Sequence, residues 1–296
     1  MSSTILSNDM LIKNFLRKGS IFLQDPVKIP HYFRYIITKF ISGHGISRIP
    51  LGGRIKASTF SEYLSVYGLM PTQGEVNMLS MFMDNAKHVF DIGANIGVWS
   101  VLMTKLNQDA VIHSFEPNLN IFSLLKRNIK ENRCPKVVLN NVAVSNSEDE
   151  LEFQVPKNAS IFGRVSPNGD ARDDEGRFDN STTFTIPSMS LSHYCRKHAI
   201  DQIDFLKIDI EGHELAAFQG FEEMLRYQRI KAIYMETIEA NFIRMGVSYR
   251  ALLEFIDSCG YQFFAINPDG TCSEALPLDK IRAHNHLCLP KAIGEI

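Results

Sequence analysis

Val89-Phe90-Asp91-Ile92-Gly93-Ala94-Asn95-Ile96-Gly97 decides the architecture of this chain. Residues 89–92 read as a buried strand, and a helix over about 96–106 follows the turn. Gly93, Ala94 and Gly97 let that turn close tightly and let a ligand touch bare backbone. The free N–H groups at the helix start then point into the gap, as in a nucleotide cradle. The dinucleotide fingerprint G-x-G-x-x-G is absent; the order is Asp91-x-Gly93-x-Asn95-x-Gly97. An Asp at the strand end repels a pyrophosphate and suits a cation, an ammonium or a sulfonium. Nineteen residues past Gly97 stands Glu116, closing a second apolar strand at 111–115 that ends in Phe115. A carboxylate about 20 residues on can accept both hydroxyls of a ribose. An acid for a cation, an acid for a ribose and no phosphate seat describe S-adenosylmethionine better than NAD.

The alternation continues outward from this stretch. Strands at 89–92, 111–115 and 136–140, with helices at 96–106 and 119–132 between them, mean βαβ units and a parallel sheet. The ligand is expected at the carboxyl ends of the strands, where their order reverses. Asp91, Glu116 and Asn141 all fall at such ends. Asn141-Val142-Ala143 either borders an adenine or is a plain loop. Upstream, Thr72-Gln73-Gly74-Glu75 is a capping box opening a helix with Met78, Leu79, Phe82 and Met83 on one face. Glu75 reads as a cap, with contact to a ligand's amino group as the alternative. Residues 156–181 read as a long polar loop, a lid or hairpin with no assigned chemistry. Residues 182–186 alternate like an edge strand, and a short helix spans 190–198.

The second informative stretch runs from Ile203 to Glu214: I-D-F-L-K-I-D-I-E-G-H-E. It begins as a core strand and ends in polar groups. Asp209 and Glu211, two apart on an extended chain, face one side. Glu214 falls in the first turn of the next helix, where negative charge is favoured. His213 lies beside carboxylates, which are expected to raise its pKa, and Lys207 offsets part of the acidic charge. The cluster is a charged helix start or a reaction site; the cradle upstream favours the reaction site. Strand 231–235 ends in Glu236, helix 248–258 and strand 261–265 follow, and 285–290 is a final strand. His284 and His286 read as core or surface histidines rather than metal ligands.

The chain has 296 residues, 45% of them hydrophobic. That is room for a domain over 71–296 with an appendage over 1–70. The 31 basic and 33 acidic residues leave a net charge of −2, so no strong overall field draws in nucleic acid. Five cysteines without C-x-x-C spacing point to reduced thiols and a cytoplasmic protein. No signal-peptide pattern and no spanning apolar run is visible. In the appendage, Ser7-Asn8-Asp9 caps a helix carrying Leu11, Ile12, Phe15 and Leu16 among Lys13, Arg17 and Lys18. Pro30 opens another with Phe33, Ile36, Ile37 and Phe40, interrupted by Arg34 and Lys39. Such helices bind a membrane surface or a partner, or cover the main domain and shape access to it; the short, broken stripe favours covering.

V-F-D-I-G-A-N-I-G (89–97), S-F-E-P (114–117) and F-L-K-I-D-I-E-G-H-E (205–214), in this order, resemble the FkbM family of methyltransferases over roughly residues 72–290. The resemblance implies a class I, Rossmann-like α/β three-layer sandwich. Its mostly parallel seven-stranded sheet has the order 3-2-1-4-5-7-6, with an antiparallel last strand, beside the helical N-terminal appendage. It implies S-adenosylmethionine as donor and a hydroxyl acceptor on a saccharide or a polyketide-type secondary metabolite. Asp91, Gly93, Asn95 and Gly97 become the methionine-end loop and Glu116 the ribose ligand, with Phe115, Asn141 and Val142 beside the cofactor. Asp209, Glu211 and His213 fall on the acceptor side. The family often carries T-L-D-D where this chain has Ser190-Leu191-Ser192-His193. In-line transfer to an alcohol calls for alignment and a general base, nominated as His213 first, then Asp209 or Glu236. Asp209, Glu211 and Glu236 can alternatively hold Mg2+. The competing classes are a nicotinamide oxidoreductase on the same sheet type and a non-catalytic module that keeps the cradle.

Overall fold

The computed structural model describes residues 28–156, 163–166, 181–282 and 285–291. The helix expected near residues 9–18 and His284 lie outside these. From the amino-terminal side the elements are α1 (Lys28–Ser42), β1 (Gly45–Arg48), β2 (Arg54–Ala57), α2 (Phe60–Gly68) and α3 (Gln73–Met83). Then come β3 (His88–Ile92), α4 (Val98–Leu106), β4 (Val111–Phe115), α5 (Leu119–Glu131), β5 (Val137–Asn140), β6 (Ala143–Val144), β7 (Glu150–Pro156), β8 (Arg164–Val165) and β9 (Ser181–Met189). The last third holds α6 (Leu191–His198), β10 (Phe205–Ile208), α7 (Glu214–Gln219), α8 (Glu222–Arg226), β11 (Ile233–Glu236), α9 (Glu239–Arg244), α10 (Tyr249–Ser258), β12 (Tyr261–Phe264) and β13 (Asn285–Pro290).

Short apolar runs such as Val89-Phe90 and Phe205-Leu206 suit strands covered on both faces. They form the centre of a seven-stranded sheet of order β12-β13-β11-β10-β3-β4-β5. The β11–β10–β3–β4–β5 pairs are parallel, and β13 is antiparallel to both β11 and β12. Numbered along the chain, these seven strands run 3-2-1-4-5-7-6, the order the family resemblance implied. Side-chain alternation divides the core: Val89, Phe205 and Tyr234 pack on one face, Phe90, Leu206 and Met235 on the other. The order reverses between β3 and β10, which places the binding edge at their carboxyl ends.

One row of polar residues crosses the Val89 face. Ser114, Asp91, Lys207 and Tyr234 stand opposite one another on β4, β3, β10 and β11. Helix α4 covers them with Ser100 and Trp99, and the capping box that opens α3 is present as predicted.

Two regions depart from the sequence reading. Strand β9 is not an edge: it pairs with β7 along its length and with β6 at its end, in a second sheet of order β6-β9-β7-β8. Phe153, Ile186 and Ala143 form a small core of its own. The segment read as a polar loop contributes β8, while residues 157–162 and 167–180 lie outside the described residues. The appendage is also not purely helical, because β1 and β2 form an antiparallel ribbon. Asn128 on α5 and Asn132, its C-cap, complete the open edge of β2: Asn128 Oδ1 accepts from the Lys56 amide at 2.9 Å, and Asn132 Oδ1 from the Arg54 amide at 2.8 Å. Their amide nitrogens donate back to the Lys56 and Arg54 carbonyls, so the edge of β2 is paired by side chains instead of a strand.

Candidate active site

The carboxyl ends of β3, β4 and β10, with the loop after β5, surround a cleft. Gly93, Asn95, Phe115, Glu116, Val142, Asp209, Glu211 and His213 all line it. At φ +74, Gly93 takes a left-handed turn, and a Cβ there would lie 2.0 Å from the Asp209 carbonyl oxygen. The two strand tips can approach this closely only because residue 93 has no side chain.

Glu116 is buried, and the backbone aims it. Its Oε2 accepts from the Asn95 amide at 3.0 Å and its Oε1 from the Asn118 amide at 2.8 Å. Burial pushes its pKa up to about 7, against the pull of those two amides. Each oxygen keeps a further lone pair for a hydroxyl donor. Phe115 and Val142 supply apolar wall on either side. Asn141, by contrast, donates from Nδ2 to the Glu116 and Pro117 carbonyls at 2.8 and 3.0 Å and so staples the loop. Gly97 begins α4 and packs on α5, where a Cβ would meet Leu125 at 2.7 Å.

Asp91 stands behind the wall rather than on it. It is fully buried, one residue short of the strand tip and on the helix-covered face. Ser100 Oγ donates to its Oδ2 at 2.5 Å, and Lys207 Nζ is 3.7 Å from Oδ1. Burial raises its pKa, with Lys207 and Ser100 opposing. Asp209 lines the cleft, whereas Asp91 does not and lies beside the ammonium of Lys207.

A second cleft adjoins the first and shares Leu69 and Asp209 with it. Lys207, Glu236, Tyr234, Trp99 and Glu75 line it. Lys207 Nζ donates to the Gly93 carbonyl at 2.9 Å and lies 3.6 Å from Asp209 Oδ2. Burial lowers the Lys207 pKa, but Asp209, Asp91, Glu236 and Glu116 outweigh it and keep the ammonium charged. Glu236 is pushed up to about 8 by burial and by Asp209, Glu211 and Glu214. Glu75 caps its own helix through Oε2, while Oε1 accepts from Tyr234 and Asn285. That supports the cap reading and ties α3 to β11 and β13.

Three expectations about the 203–214 stretch change. Strand β10 ends at Ile208 and Glu211 has φ 58, so Asp209 and Glu211 share the cleft without sharing an extended strand. His213 is not raised: burial pulls it down to about 4, and its Nε2 lies 2.9 Å from Ser145 Oγ. Glu214 does not stand out at the helix start. It is buried, accepts from the Ile210 amide at 2.9 Å, and is pushed by burial to about 8, so it is largely uncharged near neutrality. As for Mg2+, no three His, Cys, Asp or Glu among the described residues form a metal-holding group. The positive charge between Asp91 and Asp209 is that of Lys207, so Asp209, Glu211 and Glu236 do not fit the role of an ion cage.

Sequence reasoning missed Ser145 and the wall supplied by Phe153, Gly163 and Val165 of the second sheet. The alternation of Glu150-Leu151-Glu152-Phe153-Gln154-Val155 was the signal for β7. Ser190-Leu191-Ser192-His193 proves to be a helix cap, with Ser190 Oγ accepting from the His193 amide.

A sheet of this order, with a carboxylate at the tip of its second strand and a glycine turn at its first, defines a class I S-adenosylmethionine-dependent methyltransferase. The FkbM methyltransferase domain matches residues 91–263, more than half of the sequence, and the chain belongs to that family. The nicotinamide reading falls with this match. Methyltransferase sdnD of Sordaria araneosa is 25% identical over 225 residues, covering 66% of this chain and 85% of that protein. The hexuronic acid methyltransferase AglP of Haloferax volcanii is 25% identical over 167 residues, covering 54% of this chain and 62% of that protein. Among solved structures, M. jannaschii TYW2 in complex with AdoMet is 14% identical, covers 83% of this chain and 84% of that one, and has a TM-score of 0.38.

Proposed function

We propose that this protein methylates a hydroxyl oxygen of a saccharide or polyketide-type acceptor. The observation that carries the reading is the junction of two clefts at Asp209. One cleft holds a nucleoside-type wall of Glu116, Phe115 and Val142; the other holds Lys207 and Glu236. The printed activity of AglP, a hexuronic acid methyltransferase, supports the saccharide class.

When bound, S-adenosylmethionine supplies a methyl group already activated by its sulfonium. The residues present fit that cofactor: Glu116 is aimed for ribose hydroxyls, and the Gly93 turn lets the ligand lie on backbone. Asp209, at the junction, attracts the positive end and orients the incoming hydroxyl. Alignment of this kind supplies most of the acceleration. Glu236 takes the hydroxyl proton in its ionised form, a contribution of about 10²–10⁴-fold. Lys207 lies beside Asp209 and fixes the Gly93 carbonyl. His213, with its low pKa and its Ser145 partner, shapes the wall of the first cleft. The five free cysteines, four of them buried, support a reducing, cytoplasmic setting.

The test is labelled-methyl transfer to uronic-acid oligosaccharides and to polyketide alcohols. Incorporation that falls about a hundredfold in Glu236→Gln, with S-adenosylmethionine affinity retained, supports the reading. Methylation of nitrogen or carbon acceptors in preference to hydroxyls overturns it.

A further inference from the structure

Glu236 ends β11 in the wall of the second cleft, and a side chain of the next helix holds its carboxyl. Asn241, on α9, is buried, and its Nδ2 donates to Glu236 Oε2 at 3.3 Å. The helix that presents this amide is itself seated on the turn carrying Glu211 and His213. There Gly212 has φ +102, and a Cβ on it would lie 2.6 Å from the Asn241 carbonyl oxygen. Thr237, the residue after Glu236, is fully buried. Its Oγ1 donates to the Arg282 carbonyl at 3.2 Å and lies 2.8 Å from His286 Nδ1. The tip of β11 and the start of α9 are thus fixed on both sides of the contact.

The other neighbours of Glu236 oppose a negative charge on it. Asp209 and Glu211 act from the turn after β10 and Glu214 from α7, and burial adds to them; Lys207 on β10 works the other way. Asn285 stands opposite on β13, but it donates to Glu75 of α3, as does Tyr234 of β11. On α9, Glu239 is exposed. Asn241 therefore brings an uncharged donor into a ring of carboxyl groups. An N–H bond to a carboxylate is stronger than one to a neutral acid, so this contact favours the ionised form.

We infer that Asn241 is a positioning residue for the proton acceptor: it holds Glu236 by Oε2, leaves Oε1 for the acceptor hydroxyl and supports the charge that a base must carry. The inference rests on the role proposed above for Glu236.

The test reads Glu236 directly and needs no acceptor. In the full chain labelled with carbon-13 at its glutamate carboxyls, the Glu236 resonance is the one lost in Glu236→Gln, and NMR follows its midpoint against pH. Wild type should titrate at about 8. Asn241→Leu should move the midpoint up by about one pH unit. Asn241→Asp, which keeps the side-chain shape but sets a like charge in place of the donor, should move it at least as far. Both variants should bind S-adenosylmethionine as wild type does, which shows they are folded; if the leucine variant misfolds, the isosteric one still reads the effect. The rising limb of labelled-methyl transfer, with S-adenosylmethionine saturating, should move by the same amount. An asparagine that serves packing alone would lower the melting temperature and leave the midpoint in place. A midpoint unmoved in the folded variants overturns the inference. A midpoint that moves while the rate limb stays overturns the role of Glu236 as base, and the positioning role with it.

Discussion

Lys207 Nζ donates to the carbonyl oxygen of Gly93 at 2.9 Å, joining β10, the strand that leads into Asp209 and Glu211, to the glycine turn after β3. The same ammonium lies within 3.7 Å of Asp91 and 3.6 Å of Asp209. One buried cation therefore sets both the shape of the turn and the charge of the junction. Lys207→Met should destabilise the fold by about 3–5 kcal/mol, because it leaves buried carboxylates uncompensated. Urea unfolding measures this. Asp91→Asn added to Lys207→Met should recover part of the loss; strict additivity of the two changes would mean they are not coupled.

Gly93→Ala should weaken S-adenosylmethionine binding at least about tenfold and lower the melting temperature, since the added carbon meets the Asp209 carbonyl. Gly52 is the control. It too has positive φ, at +78, but nothing lies within 4 Å of its missing Cβ. Gly52→Ala should carry only the backbone cost, about 1–2 kcal/mol, and leave cofactor affinity alone. Equal effects at the two glycines would show that close approach is not what residue 93 serves.

The proton acceptor can be separated by pH. Glu236, at about 8, ionises across the range where kcat/KM is easily followed, whereas His213, at about 4, is already neutral there. The rate should climb from about pH 6 to about pH 9 in wild type. In Glu236→Gln, with S-adenosylmethionine saturating, it should be about a hundredfold lower and flat. His213→Gln should keep the slope. A slope lost with His213 and kept without Glu236 would return the role to the histidine.

Glu214 bears on stability rather than chemistry. Its pKa is about 8 in the fold against an ordinary 4.5. Below the lower value both states are protonated and nothing is lost. Between the two, the unfolded chain has released the proton that the folded chain retains, so stability falls as pH rises. Glu214→Gln removes that slope while its amide oxygen still accepts from Ile210. The variant should gain over wild type in urea midpoint between about pH 5 and 8 and converge with it near pH 4. A constant difference across this range would contradict the buried, protonated state.

Much of this molecule was legible in its sequence. Regular alternation was enough for the strands and helices of the parallel sheet, because those depend on neighbours in the chain; the strand order came only with the family resemblance. Asp91 was misplaced by parity: only the register with Ser114 and Lys207 shows that it faces the helices. The His213 pKa was misjudged because sequence proximity to carboxylates says nothing about loss of water. The side-chain pairing of β2 by Asn128 and Asn132 spans more than 70 residues and left no local trace.

The most direct measurement is S-adenosylmethionine affinity against pH, by calorimetry, for wild type and Glu116→Gln. Glu116 has a pKa near 7 and accepts ribose hydroxyls best when ionised. Wild-type affinity should therefore rise as pH increases from about 6 and level off above about 8, while Glu116→Gln binds at least about tenfold more weakly at pH 8 with no such rise. Equal affinity of the two proteins at pH 8 would contradict a cofactor seated at the tip of β4.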